Sequence, residues 1–229
     1  MPIGGVPLVV RVAERVAKID AIDHLVVATD SPEILETVAA AGFSAILTDS
    51  EHRSGTDRVA QVAGVPDFLG YDIVINIQGD EPFIPTEAVL GAIGMVRSGF
   101  DIGSAASPLD WTMAQDESLV KVVTDKLGKA LYFSRGPVPF ARAGLAAEKV
   151  SYWQHLGVYA FTRESLVGWT SRDVGELEQV EDLEQLRALE GGLTIGIAKI
   201  AVAAPLGVNT LEDLHLARLR WEQELGESV

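Results

Sequence analysis

The sequence predicts an α/β fold, a three-layer arrangement of one sheet and its helices with a small antiparallel insertion. Short β-branched runs alternate with helical patterns through the first half of the chain, which favours βαβ units around a parallel sheet. In the second half, two strand-like runs flank a short connection that contains Gly128, which favours an antiparallel hairpin. The chain has 229 residues, 48% of them hydrophobic, so we expect a single domain over residues 1–229.

The first half supplies the parallel strands and their helices. The apolar run at residues 25–29 predicts a buried strand. Ser31 and Pro32 after it predict the capped start of a helix, which ends at Gly42. The same reasoning predicts strands at residues 43–47, 73–77 and 102–107, and helices at residues 57–63 and 86–97.

The second half departs from this order. Strands are predicted at residues 120–124, 130–133, 156–161 and 193–200, the first two forming the hairpin. Apolar residues at 177, 180, 183, 186 and 189 predict one helix that ends at the glycine pair 191–192. Either Asn209 or Thr210 could cap a final helix, with Glu212 or Asp213 as the reciprocal carboxylate.

Composition and charge exclude several classes of function. The net charge of −15 opposes sequence-independent binding to nucleic acid. No apolar run is long enough to span a bilayer, and the first residues do not follow the pattern of a secretory signal. The absence of cysteine excludes disulfides and thiolate metal sites. We therefore expect a cytoplasmic protein that binds neither nucleic acid nor a membrane.

The sequence has no phosphate loop, dinucleotide fingerprint, nucleophile elbow or HExxH zinc pair, so its clearest chemical feature is Asp80. Asp80 and Glu81 follow the predicted strand 73–77, and ligands of open α/β sheets bind beyond the carboxyl ends of strands. Adjacent side chains of an extended segment point to opposite sides, so we expect the two carboxylates not to share one ion. One carboxylate could hold Mg²⁺ together with substrate phosphates; the alternative is a plain turn.

Other candidate residues each have a structural alternative. The loop with Ser54, Gly55 and Arg58 could bind an anion or merely cap the helix that follows it. Arg135 could pair with a substrate carboxylate in a bidentate fork or form a surface ion pair. For three more polar residues the residues alone favour the structural alternative, a satisfied structural histidine at His155 and a polar helix face or flank at Glu184 and Gln185.

Several stretches, in the same order, resemble the motifs of the 3-deoxy-manno-octulosonate (Kdo) cytidylyltransferases. They lie at residues 28–30, 52–58, 76–82, 131–135, 155–159 and 183–189. The resemblance implies a Rossmann-like nucleotidyltransferase fold and a homodimer formed partly by the insertion, at about residues 115–160. It also implies transfer of CMP from CTP to Kdo, with Mg²⁺ as cofactor and pyrophosphate as second product, for lipopolysaccharide biosynthesis.

The resemblance also implies roles for individual residues. Asp80 would be a metal ligand, and Asp80 and Arg135 would act in catalysis. CTP would contact four residues: Ser54, Gly55, Arg58 and Gln78. The sugar acid would contact five: Arg135, His155, Tyr159, Glu184 and Gln185.

The chain departs from the family pattern at two places. The family's opening strand and triphosphate loop have no counterpart before residues 1–8, and Val6 stands where the family tends to have lysine. We expect that the start codon is assigned downstream of the true one; the alternative is a shortened protein. Asn209 stands where the family commonly has its second metal-binding aspartate, which predicts weaker metal affinity, or else Asn209 simply caps the last helix.

Two other functions stay open at this point. One is transfer of CMP to a different ulosonic acid such as a sialic acid. The other is a non-catalytic descendant that binds nucleotide or dimerises without turnover, which the two departures would explain.

Overall fold

The computed structural model describes residues 1–142, 147–205 and 207–226, so residues 143–146 of the predicted insertion lie outside it. Its helices are Leu8–Val16 (α1), Pro32–Ala40 (α2), Gly55–Ala63 (α3), Thr86–Arg97 (α4), Arg163–Thr170 (α5), Glu176–Glu181 (α6), Gln185–Glu190 (α7) and Leu211–Gly226 (α8). Its strands are Pro2–Ile3 (β1), Val6–Pro7 (β2), Val27–Thr29 (β3), Ala45–Leu47 (β4), Ile73–Ile77 (β5), Ile102–Leu109 (β6), Lys121–Thr124 (β7), Ala130–Ser134 (β8), Tyr152–Thr162 (β9) and Ile195–Lys199 (β10). Within these ranges, no helix combines the length and the apolar character that crossing a membrane requires.

The internal contacts of the chain define two compact units. The first unit comprises residues 1–62, 77–86 and 205–229, and the second comprises residues 63–76 and 87–204. The single domain over residues 1–229 stays a prediction.

In the first unit, β3 and β4 form the predicted parallel pair around α2. Val27 lies opposite Ala45, and the register continues to the ends of both strands. Ser31 caps α2 as predicted, because its side chain accepts a hydrogen bond from the Ile34 N–H. Gly42 follows the helix with a φ of 85°, a conformation that favours glycine.

The N-terminal residues of the first unit form a tight hairpin. β1 and β2 pair antiparallel, and Gly4 and Gly5 between them have φ values of 55° and 77°, as a primed hairpin turn requires. A Cβ atom at Gly4 would lie 2.3 Å from Nε1 of Trp221, so the close approach of α8 also requires glycine there. The core beneath this hairpin consists of Ile3, Phe83, Val208, Leu214 and Ala217.

In the second unit, the described strands form a six-stranded mixed sheet. Its order is β10-β6-β9-β7-β8, and β5 also pairs with β9. β10 runs parallel to β6, whereas β9 runs antiparallel to both β6 and β7. The predicted hairpin is confirmed as β7 and β8. The strand predicted at 156–161 is longer, because β9 starts at Tyr152 and pairs with β6 along most of its length.

The prediction of one helix through residues 177–189 is wrong. The segment divides into α6 and α7, and Asp182 between them adopts a left-handed conformation with φ 52°. The carbonyl oxygens of Glu181 and Asp182 accept hydrogen bonds from Arg135 instead of continuing a helix. The apolar spacing continues across this break, so it did not indicate the corner.

Candidate functional site

Asp80 lies in the turn after β5, in the first unit. The turn is held by the Glu81 N–H, which donates to the Gln78 carbonyl at 3.2 Å, and by the Ile84 N–H, which donates to the Glu81 carbonyl at 3.3 Å. Oδ1 of Asp80 is buried and has no hydrogen-bond partner in the described parts of the chain. Burial raises the pKa of Asp80 above its usual value, because a desolvated carboxylate disfavours its charge. A bound cation would supply the missing partner.

Asn209 comes close to this turn through the backbone. The Val208 N–H donates to the Asp80 carbonyl at 2.8 Å. A Cβ atom at Gly207 would lie 3.2 Å from Oε1 of Glu81, so the two segments pack closely there. Asn209 thus directly follows the residue whose N–H is bonded to Asp80.

Asn209 does not cap α8. Thr210 performs that function: its Oγ1 accepts from the Asp213 N–H at 3.1 Å, and Asp213 Oδ2 accepts from the Thr210 N–H at 2.8 Å. The capping interpretation of Asn209 is therefore wrong, and the predicted capping box is formed by Thr210 and Asp213. The Asn209 side chain is exposed and has no hydrogen bond within the described residues.

The oxygen atoms of Asp80 and Asn209 fit a metal ion whose other ligands are mainly phosphate oxygens. The described residues include no group of three or more His, Asp or Glu side chains that could hold a metal ion. Mg²⁺ does not require such a group, because it takes one or two protein ligands and completes its shell with water and substrate phosphates. Asp80 supplies an unpartnered carboxylate oxygen, and Asn209 an exposed amide oxygen.

In the predicted nucleotide-binding loop, Ser54 caps the following helix, which is the structural alternative to an anion site. Ser54 Oγ accepts from the Asp57 N–H at 3.2 Å, so it caps α3. The Arg58 guanidinium donates to Thr48 Oγ1 at 2.5 Å and to Asp30 Oδ2 at 3.2 Å. Arg58 therefore connects the carboxyl ends of β3 and β4. Gly55 and Gln78 are exposed, the latter in the turn of Asp80.

A cavity of about 350 Å³ opens beside Gly79 in the first unit. It is lined mainly by apolar atoms, from the start of the chain and from α1 and α2: Met1, Pro7, Leu8, Val9, Glu33, Ile34 and Thr37.

In the second unit, the structure groups four of the five predicted sugar-acid residues. The rings of His155 and Tyr159 on β9 lie 5.3 Å apart. The Tyr159 hydroxyl donates to Gln185 Oε1 at 3.3 Å. Burial, together with the charge of Glu184, raises the pKa of Tyr159 well above its usual value. Tyr159 is therefore a protonated hydrogen-bond donor at neutral pH.

Arg135, the fifth residue, is bound to the same α6–α7 corner. Its guanidinium donates to the carbonyl oxygens of Glu181 at 2.8 Å, Glu117 at 3.0 Å and Asp182 at 3.0 Å. Three of the five N–H groups are used in this way, and two remain for a substrate carboxylate. The nearest ion pair, to the exposed carboxylate of Asp182, is long at 4.0 Å.

Sequence reasoning missed three residues that shape this cluster. Lys121 has no exposed surface, and its Nζ donates to the carbonyl oxygens of Asp116, Leu119 and Arg135. Glu181 accepts from the Arg135 N–H at 2.8 Å and from Ser134 Oγ at 2.7 Å. A lysine between valines of a predicted strand could have signalled Lys121. The third, Ser104, lies in a run of small residues without any such signal.

Known proteins with the same architecture identify the class. A solved CMP:2-keto-3-deoxy-manno-octonic acid synthetase complexed with CTP superposes with a TM-score of 0.89 and 35% identity, covering 98% of this chain and 91% of that chain. The 3-deoxy-manno-octulosonate cytidylyltransferase of Gemmatimonas aurantiaca is 45% identical, covering 96% of this chain and 86% of the relative. That of Polynucleobacter necessarius is 40% identical, covering 94% and 86%.

The α/β fold and these relatives define the chain as a nucleotidyltransferase, and they confirm the predicted fold class. More narrowly, residues 1–195 match the family model for cytidylyltransferases, and the chain belongs to that family.

Proposed function

We propose that this chain transfers CMP from CTP to Kdo, giving CMP-Kdo and pyrophosphate for lipopolysaccharide biosynthesis. The anomeric hydroxyl of Kdo attacks the α-phosphorus of CTP and loses its proton, and the bond from that phosphorus to the pyrophosphate oxygen breaks. The observation that carries this proposal is the 45% identity, over 96% of the chain, to a 3-deoxy-manno-octulosonate cytidylyltransferase.

We assign the nucleotide and the metal to the first unit. Asp80 and Asn209 would hold Mg²⁺, which when bound neutralises phosphate charge and orients the triphosphate. The unpartnered Oδ1 of Asp80 supports this assignment. Ser54, Gly55, Arg58 and Gln78 would contact CTP. Local cations and a metal are needed here, because the net charge of −15 would otherwise repel a triphosphate.

We assign the sugar acid to the second unit. The two unused N–H groups of Arg135 would bind its carboxylate. Hydroxyl groups would be bound by the remaining residues of the cluster: His155, Tyr159, Glu184 and Gln185. Arg135 and Asp80 would act by orienting the reactants and stabilising charge on the phosphoryl oxygens.

We further propose a homodimer that acts in the cytoplasm, where CTP is available. β8 lies at the end of the strand order, and Leu131 on it and Leu127 in the hairpin turn are 60% and 82% exposed. Exposed apolar side chains of this kind favour association. Light scattering coupled to size-exclusion chromatography should give twice the 24.5 kDa chain mass.

Pyrophosphate release tests the reaction. CTP, Kdo and Mg²⁺ are supplied to the 229-residue chain and to a chain that includes any in-frame codons upstream of Met1. Release by either chain that requires Kdo supports the proposal. Faster release with a sialic acid, or none with either chain, contradicts it.

A further inference from the structure

Ser104 on β6 contacts His155, one of the predicted sugar-acid residues. It has no exposed surface and lies opposite Tyr159 in the β6–β9 register. Its Oγ lies 2.7 Å from the Val158 carbonyl oxygen and 2.8 Å from Nε2 of His155. A shift in the β6–β9 register follows directly, between Ser104 and Ala106.

This geometry determines where the protons lie. A serine hydroxyl has one hydrogen, and a carbonyl oxygen only accepts. The Ser104 hydroxyl must therefore donate to Val158, because the opposite arrangement would place two unshielded lone pairs 2.7 Å apart. His155 Nε2 then donates its own N–H to Ser104 Oγ. A neutral ring with its proton on Nε2 has a lone pair on Nδ1.

The surroundings of His155 keep the ring neutral. Its centroid lies 5.0 Å from that of Phe133, edge to face, and 5.3 Å from that of Tyr159. Burial lowers the pKa of His155 to about 3, so at neutral pH the ring is uncharged and offers no cation to a substrate carboxylate. Nδ1 has no hydrogen-bond partner in the described portion of the chain.

We propose that Ser104 is a positioning residue that fixes His155 in its Nε2–H form, so that Nδ1 accepts a hydrogen bond from a hydroxyl group of the sugar acid. This role for Nδ1 rests on the proposed function; the tautomer does not. Gln185 complements it: its Oε1 accepts from the Tyr159 hydroxyl, which leaves its amide N–H groups as donors. These residues thus present an acceptor at His155 and donors at Gln185.

The tautomer is measured first, without substrate. In ¹⁵N-histidine-labelled protein at neutral pH, long-range ¹H–¹⁵N correlation spectra distinguish the protonated from the unprotonated ring nitrogen. A His155→Gln spectrum assigns the signals. We expect a protonated Nε2 and an unprotonated Nδ1. A ring protonated at Nδ1, or at both nitrogens, overturns the proposal whether or not the protein turns over Kdo.

The functional part is measured with Ser104→Ala. We expect a KM for Kdo about tenfold higher, the loss of roughly one hydrogen bond, an unchanged KM for CTP, and a mixture of His155 tautomers. The matched control is Ser107→Ala, because Ser107 is also completely buried on β6 but its Oγ has no partner in the described structure. Thermal unfolding of both variants shows whether the fold persists.

The outcomes separate the two proposals. An inactive wild type with the expected tautomer contradicts the proposed function alone. The role of Ser104 is contradicted if the wild type is active and Ser104→Ala changes neither the tautomer of His155 nor the KM for Kdo more than the Ser107→Ala control does. If Ser104→Ala does not fold, the wild-type spectrum and a series of Kdo analogues that each lack one hydroxyl group decide. The analogue that lacks the hydroxyl bound by Nδ1 should lose less affinity in His155→Gln than in the wild type. If no analogue behaves in this way, the hydrogen bond to Nδ1 is overturned.

Discussion

The two candidate metal ligands of the first unit differ from the aromatic sugar-acid residues of the second in how far their side chains are already paired. In the first unit, Oδ1 of Asp80 and the side chain of Asn209 have no hydrogen-bond partner among the described residues. In the second, Tyr159 is bonded to Gln185, and His155 to Ser104. A metal triphosphate brings its own charge and ligands, so a site for it can be left open. A neutral hydroxyl pattern is recognised only by donors and acceptors fixed beforehand.

The largest effect is expected where the second unit is most tightly paired. Lys121→Met removes a buried ammonium that donates to three carbonyl oxygens, of which that of Leu119 is buried and those of Asp116 and Arg135 are partly buried. We expect a loss of about 3 kcal/mol in the free energy of unfolding, because these oxygens lose their charged donor and the buried one at Leu119 has no water to replace it. Urea denaturation measures it. Lys126→Met, at an exposed lysine of the same hairpin, should lose under about 0.5 kcal/mol. Equal losses would mean that Lys121 is not a structural ammonium.

The next effect concerns the open site of the first unit. Asp80→Asn should lower kcat at least about a hundredfold, since the carboxylate charge that would hold the metal is lost, with little change in Tm. Steady-state pyrophosphate release measures the rate. Glu81→Gln, at the adjacent carboxylate, is the control and should retain most activity. A normal rate for Asp80→Asn would refute the metal assignment.

The sequence predicted features that depend on neighbouring residues, but not those that depend on contacts between distant parts of the chain. Local chemistry was readable: the Ser31 cap, the β7–β8 hairpin and the Thr210 capping box with Asp213 each depend on residues a few positions apart. The α6–α7 corner was not, because Arg135, about 46 residues earlier, supplies the donors that end α6. Lone candidates such as Asp80 were found by their position at a strand end.

Residues that act through other residues were missed for a similar reason. Ser104 meets His155 only because β6 and β9 pair, although 51 positions separate them. A buried serine in a strand of small residues looks like any packing residue. The sugar-acid residues themselves were named through resemblance, and the structure then supplied the pairing that spacing could not show.

A moderate effect is expected in the pH dependence of stability. The pKa of His155 is about 3 in the folded chain and about 6.5 as an ordinary value, so the unfolded state binds more protons between these limits. The contribution of His155 to the free energy of unfolding is fully present above pH 6.5 and is lost as the pH falls towards 3. The loss is at most about 1.4 kcal/mol per pH unit.

Urea denaturation between pH 4 and pH 7 tests this dependence, since those values lie within or beside the window of about 3 to 6.5. His155→Gln should flatten the slope of unfolding free energy against pH. The matched control variant is His215→Gln, at an exposed histidine of α8. Equal slopes for wild type and His155→Gln would show that His155 titrates alike in both states.

The smallest effect should come from adding charge to the open site. Asn209→Asp places a carboxylate beside the turn of Asp80, and each added carboxylate strengthens binding of a hard cation. Because Thr210 and Asp213 already cap α8, and Asn209 contributes only its backbone N–H, the substitution should leave that helix intact. We expect half-maximal activity at a Mg²⁺ concentration about fivefold lower, with Asn209→Ala shifted the opposite way.

A shift of the Mg²⁺ requirement in Asn209→Asp alone would mean that the wild-type amide does not ligate the ion. No shift in either variant would place the second ligand elsewhere, and the open site would then consist of Asp80 and the phosphates of CTP.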